Sequence, residues 1–171
     1  MKKRKEGLVK VNKEITNLFR EDLIFIEDGK KNEDILKKIG KKLFQKGLVT
    51  EQFIDGIIKR EREYPTGLDL RIVDKEHLIP NVAIPHTESK YCKMKNIVVV
   101  KLKNEIIFNN MISPADKVKV KFLFIILNNE KEDQTNLLGS LMDFFTKKEN
   151  LHTLSKLENP REIYNYIVKQ K

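Results

Sequence analysis

Two apolar stretches in the second half of the chain restrict the folds open to it more than any other feature. Residues 97–102 are rich in valine, and residues 118–127 alternate with lysine at first and are then wholly apolar. Both patterns are typical of strands buried on both faces of a sheet, which needs helices on either side. The longest unbroken apolar run, residues 122–127, is far too short to cross a bilayer.

Two amphipathic helices are predicted between a first strand at residues 23–26 and the middle of the chain. Asn32 and Thr50 are suitable N-caps for them, and Gly47 is a suitable stop for the first helix. The apolar residues of both segments recur at helical spacing, as expected for one buried face each. They are Ile35, Leu36, Ile39, Leu43 and Phe44 in the first helix and Phe53, Ile54, Ile57 and Ile58 in the second.

The order of the remaining elements predicts the fold class. A short strand is expected at residues 106–108, an amphipathic helix at residues 134–145, and two last helices after Asn150 and Asn159. Strand, two helices, several strands and further helices indicate an α/β fold: a single three-layer domain with a mixed β-sheet flanked by helices on both faces. This domain is predicted to span residues 13–171, after a flexible basic tail at residues 1–12.

Charge and cysteine content narrow the possible functions. The 171 residues carry a formal net charge of +9, but the lysines are spread along the predicted helices. That distribution favours a solvated surface or an acidic protein partner over nucleic acid. Binding of nucleic acid through the basic residues 2–5 is a weaker alternative. Cys92 is the only cysteine, so no internal disulfide can form, and no apolar segment follows the basic N-terminus. Both observations predict a cytoplasmic protein.

The segment Asn-Val-Ala-Ile-Pro-His-Thr-Glu at residues 81–88 contains the best candidate for covalent chemistry. Its first residues are typical of a short buried strand, and Pro85 holds Ile84 extended, so His86 has a defined position at the strand end. An imidazole that is neutral near pH 7 has one free nitrogen lone pair, which can attack an electrophile such as phosphorus. The alternative is a histidine with a structural role only.

Other chemistries have no motif in this chain. We find no glycine-rich nucleotide-binding loop, no metal-ligand spacing among three histidines and one cysteine, and no serine elbow. Upstream of His86, Pro65 and Gly67 predict a turn that leaves the Thr66 hydroxyl and nearby amides free to bind a ligand. Arg60 lies in a charged helix end. Alternatively, Thr66 caps the turn locally and Arg60 is merely solvated.

Two motifs together resemble a known family. Arg-Glu-Arg-Glu-Tyr-Pro-Thr-Gly-Leu at residues 60–68, followed by Asn-Val-Ala-Ile-Pro-His-Thr at residues 81–87, is similar to the EIIA domain of the bacterial phosphoenolpyruvate-dependent sugar phosphotransferase system. The resemblance is to the fructose/mannitol superfamily, in its galactitol-like branch, over roughly residues 18–168. It implies that His86 takes a phosphoryl group from phospho-HPr and passes it to a cysteine of EIIB, without a metal or cofactor.

The resemblance also implies the remaining site residues. Arg60 and Thr66 would stabilise the phosphoryl group in a shallow apolar depression open to partners, and the membrane would be involved only indirectly, through the EIIC transporter. Mannitol-type members carry a second histidine near the start of the helix after the long strand, a place that falls close to Gln134 in this chain. Glutamine can donate a hydrogen bond to a phosphoryl oxygen but cannot become cationic, which suits the galactitol-like branch. The alternative function is a regulatory module that senses phosphorylation state and binds a regulator.

Overall fold

The computed structural model of the chain describes residues 15–76, 78–131 and 134–169. Within them, the order of helices and strands matches the prediction except at the short strand Gly67–Leu68, which was not predicted, and at Asn96–Asn109, which is one strand and not two. The elements are β1 (Ile24–Glu27), α1 (Asn32–Gln45), α2 (Phe53–Glu63), β2 (Gly67–Leu68), β3 (Asn81–Ala83), β4 (Asn96–Asn109), β5 (Lys117–Leu127), α3 (Gln134–Thr146), α4 (Lys148–Lys156) and α5 (Pro160–Val168). The tail predicted at residues 1–12 lies outside the described residues.

The five strands form one mixed sheet in the order β1-β4-β5-β3-β2. The long strands β4 and β5 pair antiparallel at its centre. β1 joins β4 in parallel, β3 joins β5 in parallel, and β2 closes the other edge antiparallel to β3. The prediction of a mixed sheet with β5 inside it is therefore confirmed.

Two apolar cores, one on each face of the sheet, confirm the three-layer architecture. Successive residues of β5 point to opposite faces, as they must in a strand. Leu123, Ile125 and Leu127 join α1 and α2 in one core, whereas Phe122 and Phe124 join α3, α4 and α5 in the other. Because both faces are covered, the wholly apolar half of β5 is buried throughout.

The strands predicted at residues 97–102 and 106–108 are one strand, β4, and the prediction of two was wrong. Pairing with β5 is irregular between Lys101 and Ile106. The polar residues in this segment interrupt the apolar pattern, which is why the sequence indicated two strands. Lys101 is half-buried there because its ammonium donates hydrogen bonds to the carbonyls of Ser155 and Leu157 at the end of α4. The charge thereby satisfies carbonyls that a helix end leaves unpaired.

One of the four predicted N-caps is confirmed. The Asn159 side chain accepts a hydrogen bond from the N–H of Glu162 at 2.9 Å, in front of a helix that begins with proline. The caps predicted at Asn32, Thr50 and Asn150 were wrong: Asn32 and Asn150 lie inside their helices, and the buried Thr50 hydroxyl has no hydrogen-bond partner. The stop at Gly47 is confirmed by its φ of 74°.

None of the helices within the described ranges is long and apolar enough to span a membrane.

Two glycines provide a matched test of this packing. A Cβ added to Gly67 would lie 2.6 Å from the backbone oxygen of Asn109, whereas one added to Gly139 on α3 would meet nothing within 4 Å. We expect Gly67→Ala to lower the free energy of unfolding by about 1–3 kcal/mol, because the clash is with backbone. Gly139→Ala should raise it by about 0.5–1 kcal/mol through helix propensity. Urea titration of both variants checks the pair; equal stabilities would contradict this close approach.

Candidate phosphoryl-transfer site

The backbone at His86 is fixed by the central strand of the sheet. β3 ends at Ala83, but its parallel pairing with β5 continues beyond that point. The carbonyl of Pro85 accepts the N–H of Ile126 at 3.1 Å, and His86 itself forms a bridge with Ile126. His86 therefore sits at the carboxyl end of a strand next to the middle of the sheet, where α/β proteins commonly place functional groups.

The imidazole of His86 has a defined tautomer. Its Nδ1 lies 2.8 Å from the carbonyl oxygen of Ile84. Because a carbonyl can only accept, Nδ1 carries the proton and donates it, which leaves the lone pair on Nε2. Burial lowers the pKa of His86, and the charge of Arg60 lowers it further, against the opposing effect of the Ile84 hydrogen bond. The ring is thus neutral near pH 7, with a nucleophilic Nε2.

His86 opens onto a cleft of about 540 Å³. Every residue that lines the cleft is polar or charged, which the expectation of an apolar depression did not include. The lining residues are Arg60, His86, Thr87, Glu88, Ser89, Lys90, Glu130 and Lys131. Two acidic side chains of this set are already paired: Glu88 with Lys90 at 3.1 Å and Glu130 with Lys95 at 3.4 Å. What remains is a polar, predominantly basic cleft suited to an anion.

Arg60 lies in this cleft, as the sequence analysis predicted. It belongs to the last turn of α2, and its guanidinium stacks on the ring of Tyr64 with 4.1 Å between the guanidinium carbon and the ring centroid. No carboxylate of the described residues forms an ion pair with it, and the same is true of Lys131. Both cations are therefore available to oxygens of a phosphoryl group near His86.

Thr66 is not in the cleft. The side chain is 1% exposed, its hydroxyl donates to Oε2 of Glu61 at 2.8 Å, and its N–H donates to Oε1 of the same carboxylate at 2.9 Å. The expectation that the hydroxyl and amide of Thr66 are free was therefore wrong. A contact between Thr66 and a phosphoryl group stays a prediction, and it requires the hydroxyl to leave Glu61.

Gln134 is the first residue of α3, three positions after Lys131 of the cleft. Its side chain is outside the described part of the structure. Its predicted role in stabilising a phosphoryl group stays a prediction.

Several cleft residues were missed by the sequence analysis. Thr87 and Ser89 follow His86 within three positions, so two hydroxyls beside a candidate nucleophile were a readable signal. Thr87 is nearly buried against α2, where a Cβ added to Gly56 would lie 3.2 Å from its Oγ1. Lys131 had no signal, because one lysine in a polar loop resembles many others in this basic chain.

Glu61 is the other residue that the sequence analysis missed. It lies four residues after Ile57 on the buried face of α2, and only 6% of it is exposed. Burial raises the pKa of Glu61 from 4.5 to about 7, although both hydrogen bonds from Thr66 act to lower it. A carboxylate on an apolar stripe was the signal, but it was hidden in the charge run at residues 59–63.

Within the part of the chain that the structure describes, no cluster of three or more histidine, cysteine, aspartate or glutamate side chains could hold a metal ion.

Comparison with known proteins identifies relatives of this chain. Residues 17–170 match the family described as "Phosphoenolpyruvate-dependent sugar phosphotransferase system, EIIA 2". The "PTS system galactitol-specific EIIA component" of Escherichia coli (strain K12) is 28% identical over 144 residues, which are 84% of this chain and 88% of that protein.

Solved structures share the fold at low sequence identity. The nitrogen regulatory protein IIA-Ntr from Neisseria meningitidis has a TM-score of 0.67 at 18% identity, covering 90% of this chain and 98% of that one. Enzyme IIA-mannitol of Escherichia coli, in complex with phosphorylated enzyme IIB-mannitol, has a TM-score of 0.67 at 15% identity, covering 89% and 98%. These likenesses establish a common α/β fold.

The raised pKa of Glu61 predicts how stability depends on pH. The folded state holds the Glu61 proton up to about pH 7, whereas the unfolded chain releases it near 4.5. This contribution to the free energy of unfolding is present below pH 4.5 and is lost as the pH rises through 7, by about 3 kcal/mol. Glu61→Gln should therefore become more stable relative to wild type by that amount between pH 4.5 and 8.

The measurement is urea unfolding of both proteins across this range. The exposed neighbour Glu63 gives the matched control, since Glu63→Gln removes the same charge without a buried carboxyl. A difference between Glu61→Gln and wild type that does not change with pH would contradict the raised pKa.

Proposed function

This chain belongs to the EIIA 2 family of the phosphoenolpyruvate-dependent sugar phosphotransferase system, and on that premise we propose that it is a galactitol-like phosphocarrier. His86 accepts a phosphoryl group from phospho-HPr and passes it to a cysteine of an EIIB component during sugar uptake. The observation that carries this proposal is the free lone pair on Nε2 of His86, directed by the hydrogen bond from Nδ1 to Ile84.

The chemistry needs positioning and charge more than covalent assistance. Nε2 of His86 attacks the phosphorus, the new P–N bond forms as the bond to the donor breaks, and the donor leaves with its electron pair. In the second half-reaction a thiolate of EIIB attacks the same phosphorus, and the P–N bond breaks. Nδ1–H keeps its hydrogen bond to Ile84 throughout, so the ring stays in one orientation.

The charged side chains of the cleft support this assignment. The guanidinium of Arg60 can bind two phosphoryl oxygens at once, and Lys131 adds a second positive charge. The hydroxyls of Thr87 and Ser89 are further donors in the same cleft. Thr66 and Gln134 remain candidates from the sequence pattern, Thr66 with the rearrangement described above.

The partners and location follow from the family. HPr is the proposed phosphate donor and EIIB the proposed acceptor; the complex of the mannitol IIA and phosphorylated IIB proteins, which shares this fold, supports an EIIB partner. The phosphocarrier would work in the cytoplasm, meet the membrane only through EIIC, bind no nucleic acid and need no cofactor or metal.

A second candidate is a regulatory module that senses phosphorylation state. The fold likeness to a nitrogen regulatory protein favours it. In this case His86 would still be phosphorylated, but the phosphoryl group would not pass to any EIIB. Incubating the phosphorylated chain with purified EIIB components, with loss of phosphate followed by mass spectrometry, separates the two candidates.

We expect His86→Ala to abolish phosphorylation without unfolding the domain, because the side chain lies on the rim of a cleft and not in either core. The assay is incubation with phosphoenolpyruvate, enzyme I and HPr, followed by intact mass and peptide mapping at neutral pH. The histidine control is His152→Ala on α4, which should still gain one acid-labile phosphate. Phosphate incorporation into His86→Ala would contradict the assignment of His86 as the phosphorylated residue.

Removal of the cleft arginine should slow transfer. We expect Arg60→Gln to lower the rate of phosphorylation roughly 100-fold, the usual cost of one charge-stabilising donor. Arg62 offers the matched control, since its guanidinium is paired with Glu33 and does not line the cleft. Rates come from rapid-quench samples analysed by intact mass. Equal rates for Arg60→Gln and Arg62→Gln would exclude Arg60 from the transfer step.

A further inference from the structure

We infer that Glu61 is a positioning residue for phosphoryl transfer, which holds His86 and Arg60 in place through its two hydrogen bonds to Thr66. The inference rests on the proposed function of His86. Glu61 does not line the cleft and makes no contact with the reacting atoms. Its effect on transfer therefore passes through other residues.

The buried carboxyl of Glu61 lowers the stability of the fold unless it is hydrogen-bonded. Phe53, Ile57 and Ile58 are the other buried residues of α2, so Glu61 occupies a position where an apolar side chain would stabilise the helix packing. Burying a carboxyl is unfavourable unless its oxygens are hydrogen-bonded. Both oxygens of Glu61 accept from one residue, Thr66, at 2.9 and 2.8 Å. The unfavourable burial of the Glu61 carboxyl therefore serves to hold one residue, Thr66, in place.

Thr66 is connected in turn to the imidazole. The carbonyl of Thr66 accepts the N–H of Ile84 at 3.2 Å, and the carbonyl of Ile84 accepts Nδ1–H of His86 at 2.8 Å. Only Thr66 and Ile84 therefore separate the buried carboxyl from the reacting ring, and each residue of this chain is hydrogen-bonded to the next. A displacement of Thr66 moves the carbonyl that sets the orientation and tautomer of His86.

The same carboxyl is also connected to the arginine. The N–H of Tyr64 donates to the carbonyl of Arg60 at 2.8 Å, which ends α2. The bonds between Glu61 and Thr66 close the turn that contains Tyr64, and that turn brings the Tyr64 ring under the Arg60 guanidinium. The position of the cleft cation thus depends on the same pair of hydrogen bonds.

No apolar residue could replace this carboxyl without loss. Thr66 is 1% exposed and presents two donors, its N–H and its hydroxyl, to the interior. A leucine at position 61 would leave both without an acceptor, and a buried donor without a partner drives local rearrangement. A glutamine would keep both bonds, because its carbonyl can accept the N–H and its amide can donate to the hydroxyl oxygen.

The test compares substitutions at Glu61 in the phosphorylation assay with HPr. We expect Glu61→Leu to lower the maximal single-turnover rate of phosphorylation by about 10- to 100-fold, with little change in the phospho-HPr concentration that gives half of that rate, since the geometry of transfer is lost and the docking surface is kept. Glu61→Gln should recover most of that rate. Glu63→Leu, an exposed neighbour with the same charge change, should match wild type.

A second readout does not depend on phosphorylation. The ¹⁵N chemical shifts of the His86 ring report which nitrogen carries the proton. We expect a single tautomer, with the proton on Nδ1, in wild type and Glu61→Gln, and a mixture in Glu61→Leu. A protein that gains no phosphate in its wild-type form would refute the proposed function, while these shifts would still decide whether Glu61 positions the ring.

The inference is overturned if folded Glu61→Leu transfers phosphate at the wild-type rate and its His86 shifts are unchanged. Should Glu61→Leu fail to fold, Thr66→Val replaces it, since valine keeps the N–H bond and removes only the hydroxyl. Thr66→Val should slow transfer and mix the tautomers, and Thr66→Ser should restore both. A Thr66→Val protein that matches wild type in rate and shifts would equally overturn the inference.

Discussion

The antiparallel pairing of β4 with β5 is the constraint on which the rest of this structure depends. These two strands are the longest in the sheet, and residues from both of them enter the cores on both faces. Every helix of the described chain packs against one of those two cores. The pairing of β3 with β5 then transfers this rigidity to the segment that contains His86, because Ile126 is hydrogen-bonded to Pro85 and lies within β5 itself.

The site places charged side chains in two opposite environments. Arg60 and Lys131 remain without carboxylate partners among the described residues, so their charges face the cleft and are available to an anion. Glu61, only one position after Arg60, is buried and satisfied by Thr66. Adjacent residues on α2 thus have different tasks because successive side chains on a helix point about 100° apart. Arg60 and Glu61 differ in role because their side chains point in different directions. The presence of a charge did not predict which of them is buried.

That geometry explains which parts of the molecule could be predicted from the sequence. The apolar pattern of residues 118–127 predicted a central strand because a strand covered on both faces has no polar alternative. The position of His86 was predicted because a proline and a strand end fix the backbone there locally. The caps at Thr50 and Asn150 failed because either side chain can serve a cap or the interior, and tertiary packing decided; the Asn150 side chain reaches the Phe144 carbonyl and Tyr166 instead. The pairing of Glu61 with Thr66 was not predicted, since it depends on how the chain turns after α2.

The hydrogen bond between His86 and Ile84 also has a kinetic consequence. It holds the ring in one orientation and leaves Nε2 as the nitrogen with the free lone pair. Under the proposed function, a donor that delivers a group to that nitrogen and an acceptor that removes it would use the same atom, so the two would not bind at once. Turnover would then follow ping-pong order, with each partner acting as a competitive inhibitor of the other. The hydrogen bond to the carbonyl of Ile84 would thereby make the donor and the acceptor bind in alternation, although Ile84 contacts neither of them.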